Sequence, residues 1–167
     1  MNSLRTRVHA DFVLAVVLTV VIPLFLLMRS IVAPEKRTQL MPFLTYWRAS
    51  SLLMVTVYLL IAHRPYAMMS GISARIAIAW ALLRFPVRND PFVCWWVWVT
   101  VGYCLAGAAI NSTQISDEVV FREYAEATKV YTQLFHRDHD VHLLGRVGDI
   151  GLISWAVGAL VVHIRQP

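Results

Sequence analysis

Apolar residues along this chain fall into long, almost uncharged runs separated by short polar breaks. Thr45–Ala62 holds one charge, Arg48, and Tyr66–Leu83 holds one, Arg75. Only His63, Arg64 and Pro65 lie between them. A run of about 18 residues makes about 27 Å of helix, close to the thickness of a bilayer core. The pair reads as a transmembrane helical hairpin. Three further runs have the same character. Phe12–Met28 is closed by Arg29 and should be kinked at Pro23. Phe92–Ile110 and Val147–Ile164 complete the set. The predicted spans are therefore 12–28, 45–62, 66–83, 92–110 and 147–164. The first is too long for the core of a signal peptide, and no small-residue cleavage motif follows it closely, so it reads as a retained helix.

The section Asn111–Gly145 is different. Val120, Tyr124, Ala127, Tyr131 and Leu134 recur at steps of three and four, which is one face of a helix. Ser116 is a plausible N-cap, and Asp117 and Glu118 suit a first turn. The pattern predicts an amphipathic helix over 117–135, lying on the membrane surface or over the bundle. The fold class expected is all-α: an integral membrane helical bundle of about five transmembrane helices plus an interfacial amphipathic helix. Residues 1–167 form a single membrane domain on this reading.

Composition agrees with lipid as the solvent. The chain is 58% hydrophobic and 15% charged, with mean hydropathy +0.59, whereas soluble domains are about 25% charged. The net charge of +5 does not point to nucleic acid, because the basic residues sit at helix ends and form no patch that could follow a phosphate backbone. One side of the membrane would hold Arg29, Lys36, Arg37, Arg84, Arg88 and Arg165, and the other Arg5, Arg7 and Arg64. The positive-inside rule puts the first set in the cytoplasm. The N-terminus and the 111–145 section then lie on the lumenal or periplasmic side. Cys94 and Cys104, ten residues apart on one predicted helix, are too distant to bond and read as small apolar fillers.

Four constellations could carry chemistry. Arg75 and Asp149 both lie inside predicted spans that enter from the same side, so they could meet as an intramembrane charge pair. Such a pair serves an ion path or a headgroup site, or, more plainly, fixes helix register. Arg48, near the start of its helix, should snorkel to the interface. His136, His139 and His142 are spaced to share a helical face and could ligate a metal, against the plainer reading of a polar linker. Trp95, Trp96 and Trp98 are either an interfacial belt or a contact for a partner or pigment. Gly102 and Ala106, on the same helix, form a small-residue face that lets another helix approach closely. His63 and His163 could hold a porphyrin-type metal, but both sit at helix ends, which weighs against a haem core.

Two stretches resemble a known family. Asp11-Phe-Val-Leu-Ala-Val-Val-Leu-Thr-Val-Val-Ile-Pro-Leu24 and Tyr46-Trp-Arg-Ala-Ser-Ser-Leu-Leu-Met-Val-Thr-Val-Tyr-Leu60 resemble an uncharacterised family, a domain of unknown function, of small cyanobacterial integral membrane proteins. Ser70-Gly71, Ala74-Arg75 and a late Phe135-His136, Leu144-Gly145, Gly148, Gly151-Leu152 pattern extend the likeness over about half the chain. The resemblance implies a photosynthetic organism and the thylakoid, or otherwise a bacterial inner membrane. It brings no catalytic residues.

No nucleophile–base–acid set, phosphate loop or paired mid-membrane carboxylate is found in the sequence, so a non-enzymatic role is expected. The leading expectation is an accessory subunit or assembly factor of a larger membrane complex, photosystem-type given the resemblance, with chlorophyll, carotenoid or lipid against the bundle surface. The alternative is a small ion or solute transporter that uses Arg75 and Asp149. A haem or metal redox protein comes third.

Overall fold

A computed structural model describes residues 2–32, 40–84, 90–135 and 140–164. They form helices joined by short turns, with no strand among the described residues. The helices are α1 (Asn2–Val16), α2 (Ile22–Val32), α3 (Leu40–Ile61), α4 (Ala67–Leu83), α5 (Pro91–Thr113), α6 (Glu118–Phe135) and α7 (Val141–Ile164). A π-helical turn, Val17–Val21, joins α1 to α2 in one continuous rod. Among the described residues four stretches are long and apolar enough to cross a membrane: Ser3–Val32, Phe43–Ile61, Pro91–Thr113 and Val141–Leu160. The chain is an all-α integral membrane bundle. Of the five spans expected, α4 falls just short in length at 17 residues. It packs between α3 and α5, and its Ala74, Ile78, Ala79 and Leu82 are buried.

The first rod begins ten residues before the predicted span. Its opening turns are polar, yet Val8 is buried and Leu4 packs against the cluster of Leu59, Leu60, Met68 and Val120. The amphipathic helix α6 supplies this cover, lying over α1 and α3. The predicted boundaries 117–135 match α6 closely. The cap differs: Asp117, not Ser116, accepts from the backbone N–H of Val119 at 2.9 Å and of Val120 at 3.2 Å.

The irregularity expected at Pro23 takes the form of the π turn one turn upstream. Proline has no N–H to return to the preceding turn, and its ring crowds the carbonyl four residues back. A π turn relieves this by widening the helix.

α7 lies antiparallel against α3. Three glycines make that approach possible. A Cβ at Gly145 would stand 2.7 Å from Ala62 Cβ, one at Gly148 3.0 Å from Leu59 Cδ2, and one at Gly151 2.8 Å from Val55 Cγ2. In lipid, where apolar burial drives little association, such close backbone packing joins helices. The opposite face of α7, with Ile150, Ile153, Val157 and Leu160, is exposed and apolar, as a lipid-facing surface requires.

The turn between α3 and α4 is a Schellman cap. His63 N–H donates to Leu60 O and Arg64 N–H to Leu59 O, with His63 at φ 53°. At the other end of the bundle Asp90 caps α5, accepting from Phe92 N–H at 3.1 Å, with Pro91 following in the first helical position. Asp90 also pairs with Arg29 at the end of α2, which ties the first rod to α5.

Candidate functional site

The most polar place inside the bundle is built around Asp11. Its carboxylate receives groups from three other helices. Arg75 of α4 pairs with Oδ2 at 2.5 Å. Tyr103 of α5 donates its hydroxyl to Oδ1 at 2.8 Å, and Tyr124 of α6 donates to Oδ2 at 2.9 Å. Tyr124 also lies 3.3 Å from Oδ1 of Asn111, a buried residue of α5. The Arg75 guanidinium packs over the Tyr103 ring, 4.9 Å from its centroid.

The cluster follows from helix geometry. Along the first rod the buried or half-buried positions Val8, Asp11, Ala15 and Leu18 repeat at three and four, so Asp11 belongs to the inward face. On α5 the buried stripe is Val93, Trp96, Val97, Thr100, Cys104, Ala108 and Asn111, flanked by Tyr103 and Gly107. Gly107 makes room for the arginine: a Cβ there would stand 1.8 Å from Arg75 Nη1. That Nη1 is buried and has no hydrogen-bond partner, while the Arg75 side chain is 6% exposed.

A guanidinium so enclosed requires compensation, and the Asp11 carboxylate supplies it. Two phenol donors on the same carboxylate spread its charge. Burial, and then the neighbouring Asp11 charge, push the Tyr124 phenol above its ordinary range, so it stays a donor. The arrangement joins four helices through one ion pair and holds α6 down on the bundle. Above it, between α1 and α6, lies a cavity of about 280 Å³ lined by Arg5, Thr6, His9, Glu123, Glu126 and Ala127.

The expected pair of Arg75 with Asp149 does not form. Asp149 pairs instead with Arg64 at 2.6 Å and accepts from the Tyr66 hydroxyl. The reason is packing order. α7 sits on α3, so Asp149 faces the turn after α3, while Arg75 of α4 faces α1 and α5. Asp11 escaped notice because it stands before the apolar run, although its three-and-four spacing with Val8, Ala15 and Leu18 marks the inward face.

The three tryptophans separate. Trp96 is fully buried and is not available to a partner or pigment; its indole donates to Leu18 O. Trp95 and Trp98 are 52% and 63% exposed. Gly102 and Ala106 lie on the same outer side of α5, and nothing stands within 4 Å of a Cβ built on Gly102. His136 and His139 lie outside the described residues, and His142 is exposed at the start of α7. Among the described residues no three His, Cys, Asp or Glu side chains come together as a metal site. His63 lies beside Phe121 of α6.

No curated protein and no solved structure matches the chain. A family described as proteins of unknown function, DUF3177, matches residues 5–166. Those limits enclose Asp11, Arg75, Tyr103, Asn111 and Tyr124 and part or all of every helix, and the chain belongs to the DUF3177 family.

Proposed function

We propose that the chain is a non-enzymatic accessory subunit or assembly factor, docked to a larger membrane complex through the outer side of α5. One observation carries this reading. Trp95, Trp98, Gly102, Leu105 and Ala106 are all exposed on α5, and Gly102 leaves open space where a neighbouring backbone could come close. Small residues flanked by aromatics suit helix–helix contact in lipid. The ion pairs between elements support it from the other direction. Asp11 with Arg75, Asp149 with Arg64, and Asp90 with Arg29 each join one helix or turn to another. The photosynthetic setting implied by the sequence resemblance, which the family match itself does not carry, makes a photosystem-type complex of the thylakoid the first partner to test.

The test is purification in mild detergent through a terminal tag, with native gel, absorption spectrum and mass spectrometry of what co-elutes. The reading expects a complex much larger than the bare chain, lost in Gly102→Leu and Ala106→Leu while the bundle itself stays folded. Recovery of the parent as a bare chain overturns it. So does a complex that survives both substitutions.

An ion- or proton-conducting protein has its own supporting observation, the cavity of about 280 Å³ one turn outward from the Asp11–Arg75 pair. It expects flux in proteoliposomes that Asp11→Asn abolishes and Asp149→Asn spares. No flux from the parent sinks it.

A further inference from the structure

Arg48 stands deeper in its helix than the apolar run that carries it suggests. The helix that carries it begins at Leu40, so Arg48 lies about 12 Å along α3 rather than in its first turn. It falls inside the spanning stretch Phe43–Ile61 and is exposed on the outside of the bundle. Among the described residues no carboxylate lies within ion-pair distance of it. A cation facing hydrocarbon without a counter-charge is costly, and a long side chain relieves the cost by reaching a polar group outside the protein.

The path it takes is built by α7. Side chains on a helix lean toward its N-terminus, which for α3 is the end where α7 finishes. The Trp155 indole donates to the Arg48 carbonyl at 2.9 Å, and the Ser51 hydroxyl donates to the same carbonyl at 2.7 Å. This fixes α7 beside Arg48. One turn further along α7 comes Gly158, and a Cβ built there would lie 3.8 Å from Arg48 Nη2. The guanidinium therefore rests in a notch over a residue without a side chain, beside the helix whose Trp155 indole holds the Arg48 backbone.

The charge at this end of the bundle selects the ligand. Among the described residues it carries Arg29, Arg48 and Arg84 against Asp90 alone. Asp90 is taken by Arg29, and Arg84 lies over the Trp80 ring. A planar guanidinium matches a phosphate oxygen pair, and tryptophan favours the headgroup level. We propose that the notch formed by Arg48, Trp155 and Gly158 between α3 and α7 binds the phosphodiester of an anionic phospholipid. This site lies on α3 and α7, away from the α5 face, and stands or falls independently of the docking reading.

The experiment uses the full chain purified in detergent and titrated with phosphatidylglycerol, phosphatidylcholine and inorganic phosphate, read by native mass spectrometry and by lipid-dependent shift of the unfolding temperature. The parent should prefer phosphatidylglycerol to phosphatidylcholine and ignore inorganic phosphate. Arg48→Gln should weaken phosphatidylglycerol binding at least about tenfold, the scale of one lost charge-assisted contact. Gly158→Leu, which keeps the charge and fills the notch, should do the same, and Arg84→Gln should leave binding unchanged. Equal binding of the two lipids by the parent overturns the proposal without any variant. Unaltered binding in Arg48→Gln or Gly158→Leu overturns it too. Competition by inorganic phosphate at matched concentration would make this a site for free phosphate instead of lipid.

Discussion

The indole N–H of Trp96 donates to the backbone carbonyl of Leu18 at 2.8 Å, from α5 to the π turn of the first rod. The bond answers a local deficit. Ile22 N–H is engaged by Val17 O, and Pro23 has no N–H, so Leu18 O lacks a helical donor. The Thr19 carbonyl, four residues before Pro23, is met in the same way by the Tyr46 hydroxyl at 2.6 Å. Two buried side chains thus complete a helix whose own backbone cannot, and membrane interiors tolerate proline on that condition.

The first prediction concerns that bond. Trp96→Phe should cost about 1–3 kcal/mol, since it leaves a buried carbonyl without a donor. In a Pro23→Ala background the N–H at position 23 is restored, so the same substitution should cost less. Equilibrium unfolding in mixed micelles of the four proteins measures this. An equal cost in both backgrounds would separate the tryptophan from the proline.

Gly107→Ala should act through Arg75. The new Cβ would occupy the place of Nη1, pushing the guanidinium off Asp11. Breaking a buried pair costs about 3–5 kcal/mol. The loss should be nearly absent when Arg75 has first been replaced by Met, a comparison that unfolding of the two glycine variants makes directly.

Gly151 and Gly102 should respond in opposite ways. Gly151→Leu drives a side chain into Val55 and should release α7 from α3, seen as protease sensitivity between α6 and α7 and a lower unfolding temperature. Gly102→Ala meets nothing within 4 Å and should leave the isolated bundle as stable, or up to about 1 kcal/mol more stable through helix propensity.

The phenol of Tyr124 gives a pH dependence. Its folded-state value is raised, by burial first and by Asp11 second, above an unfolded value of about 10. Its contribution is then whole below about pH 10 and lost as pH climbs through the raised value. The stability difference between the parent and Tyr124→Phe should be flat from pH 7 to 9 and shrink above about 10. A difference that shrinks toward acid instead would contradict the assignment.

Much of this architecture is legible in the pattern of apolar runs. The hairpin of α3 and α4, the span α5, the amphipathic α6 and the span α7 fall close to their predicted places because lipid imposes length and apolarity on each. Partners inside the bundle are less legible. Nothing local distinguishes Trp96 from Trp95 and Trp98 until the stripe Val93, Val97, Thr100 and Cys104 is traced. The pairing of Arg75 depends on which helix lies beside α4, and packing order is not written in hydropathy. Charge depth alone made Asp149 as good a partner as any. The polar opening of α1 resembles an external tail because the cover that buries it, α6, lies more than a hundred residues away.

The most direct test of the Asp11 cluster is a pair of double-mutant cycles on unfolding stability. One combines Asp11→Asn with Arg75→Gln, the other Asp149→Asn with Arg75→Gln. The geometry predicts coupling of at least about 1 kcal/mol in the first cycle and additivity within about 0.5 kcal/mol in the second. Coupling confined to the Asp149 cycle would contradict the packing of α4 against α1 and the site built on it.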